Sequence, residues 1–589
     1  MVYPSIARTP RPRAGFRVYS ASMSTSFSRE RSERALRDIC RAMRKGAAAR
    51  LTAVVVVAAT PLAASCTKGQ STTVALSSGG ARPANAVASG TGVGSSGLPP
   101  PGSSSGGAQT SSSAIFPLSV ASSRRYLQDA KGAPFPVLGD AGWEASHNTD
   151  LAGQRVYIAD RVSRGFNSVL AITIDHKSTL NKPPKDFAGN LPFSKRLDGQ
   201  AYTGSPNGTN SANGSSSQYG ADPYKDVKAE APDFTYPGAA YWTQLDAFIS
   251  ECAGQGVAVF LFPSYVGFGG GDEGWMHEMI ANDATAGAGG FVGQRWANAS
   301  KSKLWNYGAW LAQHYATAPN IVWVLGGDFG TGGSGTFSTV QAAAVNSLVA
   351  GMKSVAGQQS TLWTAHWARP SVGTDVAQFA SLLDLQSVYV NTLANTQTRA
   401  GYASTPTKPA FEIEDYYEGN SAGGGEPNRR YQWWSFLGAI AGKFSGNEAL
   451  WPFPSNWKSQ LDSPGAKDMA KMNSFIRSIP WQTLVPSGLN GAKQIVTANG
   501  GVPGDTDYIA CAASSSTVVC YVPPGWAQGS FTIDSTVLSA PYRARWFNPS
   551  SGAYTAESSN IPNAGTHAFT PAGNNGSSFS DWVLVLDLP

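Results

Sequence analysis

Two carboxylates stand out by their position. Asp328 closes the run Asn320-Ile-Val-Trp-Val-Leu-Gly-Gly-Asp328, in which five apolar residues lead into two glycines. A continuous apolar run bounded by glycine is the pattern of a strand buried on both faces. Glu414 ends a second such run, Lys408-Pro-Ala-Phe-Glu-Ile-Glu414, with Asp415 directly after it. In a barrel of alternating strands and helices, the carboxyl ends of the strands are where active sites are built. Two acids on two strand ends suit glycoside hydrolysis, in which one carboxyl protonates the leaving oxygen and the other, ionised, attacks the anomeric carbon. Competing readings stay open. Asp is favoured as a helix cap, Glu414 would also serve a rim ion pair, and Glu412 and Asp415 are close rivals. Strand alternation puts Glu412 on the face of Glu414, lower in the barrel as a buried partner.

Other residues fit around this pair. Asp140 and Trp143 follow the first predicted strand. An aromatic plate beside a carboxylate can hold a sugar by stacking on its C–H face and bonding its hydroxyls; the alternative for Trp143 is packing under the barrel mouth. His366 ends the fifth strand and Gln386 lies in the sixth, so either would bond substrate or orient a carboxylate. Trp323 and Tyr417 are expected beside the proton donor, where apolar surroundings raise a carboxyl pKa. Trp433 and Trp434 read as core. The six histidines are scattered and His277-Glu278 is not continued as a zinc motif, so no metal and no cofactor is expected.

The elements that must position these residues follow from pattern. Predicted strands are Phe135–Leu138, Ser168–Ile174, Ala258–Pro263, Ile321–Leu325, 361–366, Leu382–Tyr389, Ala410–Ile413 and Gly438–Phe444. The clearest helices are Tyr241–Cys252, Leu304–Tyr315, Val340–Val355, Arg429–Phe436 and Ala466–Ile479. Eight strands alternating with helical stretches predict an α/β fold, a (β/α)8 TIM barrel over residues 115–487. A polar insert, 177–237, follows the second strand and is expected to be a loop at the active face. Residues 488–589 give short alternating runs split by Gly, Pro and Asn, which predict a C-terminal antiparallel β-sandwich. Cys511 and Cys520 would face each other across a hairpin there, as a disulfide or as two small core residues. Cys252 reads as a buried helix residue.

Charge and the leader bear on location. The chain's formal charge is +6, but its first fifty residues alone carry +9, so everything from Cys66 onward carries −3. Nucleic acid is not expected as a partner, because phosphate binding needs a basic surface. Arg44-Lys45, a short apolar stretch from Leu51 and the ending Leu62-Ala-Ala-Ser-Cys66 describe a secretory signal with a lipoprotein-type cleavage site. Residues 1–66 are therefore expected to be a leader, with Met43 as a possible true start. Cys66 is expected to be lipidated and to tie an exported protein to the cell envelope; the alternatives are a plain signal or an uncleaved anchor. Residues 67–114, rich in Gly and Ser, read as a flexible linker.

Several stretches resemble one family. Pro134-Phe-Pro-Val-Leu-Gly-Asp-Ala-Gly-Trp143-Glu, Arg164-Gly-Phe-Asn-Ser168, Pro319 to Asp328, Leu385-Gln-Ser387, and Lys408 to Glu414 with Tyr417-Glu418 are similar to the apiosidase-like glycoside hydrolase domain, formerly domain of unknown function 4038 and related to glycoside hydrolase family 140. Arg545-Trp-Phe-Asn-Pro549 and Ser580 to Leu586 resemble the collagen-binding-type β-domain that follows it. The resemblance implies a hydrolase acting on a carbohydrate, with Asp328 as acid/base and Glu414 as nucleophile; the substrate-binding candidates set around them are Asp140, Trp143, His366, Gln386, Tyr417 and Glu418. Ile413 stands where the family often has Gly. The rival from another class is a non-catalytic surface lipoprotein that binds polysaccharide or matrix.

Overall fold

The computed structural model describes residues 115–589, apart from 176–177, 181–183, 205–230, 268–273, 332–334, 356–361, 391–393, 421–424 and 556–557. The leader, Cys66 and the linker lie outside the described residues. Among the described residues no helix is long and apolar enough to cross a membrane.

Eight parallel strands form the larger part: β1 (Val137–Asp140), β2 (Ser168–Ile172), β3 (Ala258–Phe262), β4 (Ile321–Gly326), β5 (Trp363–His366), β6 (Gln386–Tyr389), β7 (Ala410–Glu414) and β8 (Ile440–Ser445). Their order is 5-4-3-2-1-8-7-6, so the first strand lies beside the eighth, and a two-residue strand, Ser371–Val372, pairs antiparallel on the outer edge of β6. The curl closes between β5 and β6 without a regular ladder. There the Asp384 and Leu385 N–H groups both donate to the Trp363 carbonyl, and Ser387 Oγ donates to the Ala365 carbonyl. All eight strands stand within a few residues of their expected positions. The clear helices do so too, for example Lys303–His314 and Thr339–Lys353. Each of these begins at a serine whose side chain accepts from a first-turn N–H, Ser302 from Trp305 and Ser338 from Gln341.

Alternation along the strands sorts two cores. Leu170, Phe260, Phe262, Val322, Val324 and Phe411 fill the barrel. Val169, Val259, Leu261, Trp323 and Trp363 face outward against the helices. Trp323, expected beside the proton donor, thus packs on the outside near Tyr315 and Trp363, with ring centroids 6.2 Å from each. Leu127 and Phe135, from a small antiparallel sheet before β1, join the interior core next to Val137 and Leu385, stoppering the barrel's amino-terminal end.

The remaining residues form two antiparallel sheets of six and three strands, which pack their apolar faces together around Val518, Phe531, Ile533 and Leu584. This is the expected sandwich. Cys511 and Cys520 sit directly opposite each other on adjacent strands and are joined by a disulfide. The sandwich shares a core with the barrel's helices: Trp433 stacks on Tyr521 at 5.8 Å, and Phe475 meets Phe547 at 4.8 Å. Arg429, buried on the helix before β8, grips both carboxylate oxygens of Asp581 in the sandwich and Asp468 Oδ2 at 3.0 Å. Removing one partner of a buried pair leaves the other charge uncompensated. Arg429→Ala is therefore expected to cost about 3–5 kcal/mol, measured as a shift in urea unfolding of the full chain.

Candidate active site

The cavity at the carboxyl ends of the strands holds about 410 Å³ and is lined by residues that end or closely follow each of the eight strands. Asp328 enters it after β4. Gly326, Gly327 and Asp328 all adopt positive φ, at 92°, 121° and 52°. Asp tolerates the left-handed region better than most side chains, and the turn swings its carboxylate back over the barrel mouth. The hydroxyl of Tyr265, from the loop after β3, donates to Asp328 Oδ2. A Cβ at Gly327 would lie 2.5 Å from the Tyr265 ring. Gly327→Ala is thus expected to lose roughly 1–3 kcal/mol of stability through backbone strain and to displace Tyr265 from Asp328, read as a lower melting temperature together with a lower kcat.

Glu414 ends β7, where the pairing with β6 slips. Val388 pairs with Glu412 and Tyr389 with Glu414, leaving Ile413 unpaired. Such a bulge re-aims the next side chain. Ile413 stays in the barrel interior and Glu414 opens into the cavity. Glu412 points the other way, to the helix layer, where its Oε2 accepts from the Phe444 N–H at 3.2 Å. Glu412 is buried, as expected, but it does not share a face with Glu414, because the bulge breaks the alternation on which that expectation rested.

His366 joins the Glu414 carboxylate to the Asp328 backbone. Its Nε2 meets Glu414 Oε2 at 2.5 Å and its Nδ1 receives the Asp328 N–H at 3.3 Å. One polar atom from each of Asp328, His366 and Glu414 lies within 4.8 Å of the other two. Trp143 Nε1 donates to the Tyr417 hydroxyl at 2.6 Å, and Tyr417 in turn bonds Glu414. Burial raises the pKa of Glu414, and the His366 hydrogen bond and nearby imidazole oppose that rise. For His366, burial acts downward, but the Glu414 hydrogen bond and the charges of Asp328 and Glu414 outweigh it and hold the imidazole above its ordinary value. The long contact from the Asp328 N–H is the geometric feature that resists a second ring proton.

The structure divides the expected residues. Asp328, Glu414, Trp143 and Tyr417 line the cavity together. His366 is fully buried behind it and reaches it through Glu414. Three expected substrate contacts lie elsewhere. Asp140 follows the outward alternation of β1, accepts from Tyr157 at 2.6 Å and faces Arg161 at 3.5 Å, both on the helix Leu151–Ser163. Gln386 is buried and donates to Thr374 at 2.8 Å, behind the sheet. Glu418 caps the helix Pro464–Arg477, accepting from the Gly465 N–H at 2.7 Å and from Ser463 Oγ at 2.6 Å. A carboxylate is favoured at a helix amino terminus, which accounts for its place.

The lining also includes Glu144, Asp175, Tyr265, Arg369, Tyr389 and Glu448, none of which was singled out from sequence. Each ends or closely follows a strand, so the strand-end rule applied to every strand would have found them.

A family model described as "Apiosidase-like, catalytic domain" matches residues 121–483, more than half of the chain. A second, described as "Putative collagen-binding domain of a collagenase", matches residues 492–587. Among solved structures, a glycoside hydrolase family 5 protein from Bacteroides vulgatus ATCC 8482 is similar, with a TM-score of 0.58 at 18% identity over 80% of this chain and 93% of that one. Another solved glycoside hydrolase has a TM-score of 0.57 at 20% identity, over 80% of this chain and 97% of its own. At these identities the likeness is one of fold. Comparison with curated proteins finds no match. The chain belongs to the apiosidase-like family and is a glycoside hydrolase.

Proposed function

We propose that this hydrolase cleaves a glycosidic bond in a plant or microbial polysaccharide with retention of anomeric configuration. Asp328 is the acid/base and Glu414 the nucleophile. The observation that carries this reading is the approach of Asp328 and Glu414 oxygens to within 4.8 Å in one cavity. Retaining enzymes hold their carboxyl groups about 5–5.5 Å apart, whereas inverting enzymes need about 6.5–9.5 Å to admit a water. In the first step Glu414 attacks the anomeric carbon while Asp328 gives its proton to the departing oxygen. In the second, Asp328 takes a proton from water, which displaces Glu414 and releases the sugar. His366 and Tyr417 hold the nucleophile in place, and Tyr265 holds the acid/base.

Hydrolysis of a panel of plant and microbial glycans by the full chain, with released sugar followed by NMR, tests this. Release of the retained anomer is expected; release of the inverted anomer rejects the mechanism. We also propose that the mature chain is exported and held at the cell envelope by a lipidated Cys66, with residues 67–114 as the tether. That follows from the signal and cleavage pattern in the sequence. Mass spectrometry of the mature amino terminus should find a modified Cys66, and a free amino terminus at another residue refutes it.

A further inference from the structure

The bulge that frees Glu414 on one side of β7 opens a gap on the other, toward β8. The two strands pair at Ala410 with Ile440 and at Phe411 with Gly442, and no further. Ser445 turns its carbonyl to β1, where the Ala141 N–H donates to it at 2.9 Å. Alternation therefore turns the Phe444 N–H and carbonyl toward β7. A regular parallel ladder would give them the Glu412 carbonyl and the Glu414 N–H. Glu414 has left that ladder. The Pro409 carbonyl accepts from Gln386 of β6, so a spacing of two would bring the Ile413 carbonyl to the same edge; the Glu414 carbonyl accepts there instead, from the Val390 N–H at 3.0 Å. Side chains satisfy Phe444 in its place. The Phe444 N–H donates to Glu412 Oε2 at 3.2 Å, and the Phe444 carbonyl accepts from Gln432 Nε2 at 2.8 Å.

Gln432 lies on the helix Gly425–Ala439, which packs against β7 and β8, and its side chain is fully buried. Its amide also donates to Asp415 Oδ2 at 2.7 Å. One amide thus spans the gap, tied to β8 on one side and to the residue after Glu414 on the other. Both acceptors need a hydrogen, which fixes the orientation of the amide. Without it the Phe444 carbonyl and Asp415 Oδ2 lose a donor, and a buried acceptor left unpaired is costly. The donor that a regular ladder supplies to Phe444 is the Glu414 N–H. Its return would restore the strand's alternation, which sends Glu414 to the outward face with Glu412, away from His366 and the cavity. Resting on the reading of Glu414 as nucleophile, we infer that Gln432 is its positioning residue: the amide fills the ladder site that the Glu414 N–H vacates, and so holds β7 parted from β8 with Glu414 over the cavity.

NMR of the full chain, labelled at histidine and carrying Gln432→Leu, tests this without turnover. The His366 ring signals are assigned by their loss in His366→Phe. Burial lowers the His366 pKa, and the Glu414 hydrogen bond is the first influence that raises it. Withdrawal of Glu414 should therefore lower the His366 titration midpoint. On a glycan that the unaltered chain hydrolyses, kcat should fall about 10²-fold with KM held within about threefold. Gln432→Asn, too short to span both acceptors, should move both readings the same way by less, and it carries the test where the leucine variant does not fold. Trp433→Phe, on the same helix but stacked on Tyr521 of the sandwich, should lower stability and leave the His366 midpoint in place. An unmoved midpoint in folded Gln432→Leu or Gln432→Asn, or an equal fall in Trp433→Phe, overturns the inference. The midpoint is read without substrate, so it stands apart from the hydrolase reading, which fails instead where the unaltered chain hydrolyses no glycan of the panel.

Discussion

Glu414→Gln should abolish turnover, with kcat falling about 10⁴-fold, while the chain keeps its fold. The amide matches the carboxylate in shape, so the partners at His366 and Tyr417 lose little contact. What disappears is the ionised oxygen that forms the covalent intermediate. The more decisive form of this experiment is Glu414→Ala with added azide. Azide enters the space left by the side chain and attacks the anomeric carbon from the same face, giving a glycosyl azide of inverted configuration. Restored turnover with that product assigns the nucleophile. A variant as active as the unaltered chain, or rescue to a product of retained configuration, removes Glu414 from the role. Asp328→Asn should instead be least harmful on substrates with an activated phenol as leaving group, since these depart without a proton.

His366→Phe is expected to lower kcat about 10²-fold and to move the acid limb of the pH–rate profile upward. The sign follows from what the imidazole does. Glu414 must be ionised to attack. Burial pushes its pKa up, and the His366 hydrogen bond is the first influence that pulls it back. Without His366 the carboxyl stays protonated to a higher pH, so activity at acid pH is lost first. Phenylalanine retains the packing against Trp143, Phe262 and Tyr389, whose rings stand 5.6, 5.7 and 4.6 Å from the imidazole. His366→Gln should return a donor and bring the limb part of the way back. An acid limb that stays in place in His366→Phe would reduce His366 to a packing residue.

Much of this was legible in the residue pattern. Continuous apolar runs such as Ile321 to Leu325 mark strands covered on both faces, and all eight barrel strands lie within a few residues of where the pattern put them. The helix Ala394–Ala403 did not stand out, because its ANTQTRAGYA sequence has no apolar stripe; packing against the helix before β8 holds it instead. The two catalytic candidates were visible because glycines and strand ends flank them. Three substrate candidates went astray for one shared reason. Sequence placed Asp140 and Glu418 close to strand ends and Gln386 within a strand, but did not resolve which way each side chain turns. Alternation sends Asp140 outward, and a helix amino terminus claims Glu418. The slip at Ile413 that frees Glu414 leaves no periodic mark, since a bulge is a property of the pairing between two strands. Tyr265 and Glu144 closely follow strands and were within reach of the strand-end rule, although no periodicity predicts the path of the loops that bring them to the site.

The core shared by barrel and sandwich bears on how such a protein could change over generations. Trp433, Phe475, Tyr521 and Phe547 pack as one cluster, and Arg429 reaches across it to Asp581. A gene truncated after residue 487 would encode a catalytic half with bare aromatic surface and an Arg429 guanidinium that has lost Asp581 and keeps only Asp468. The two parts are thus bound to be inherited together: recombination cannot trade the sandwich for another module without rebuilding the barrel helices it covers, and heating should melt both in a single transition.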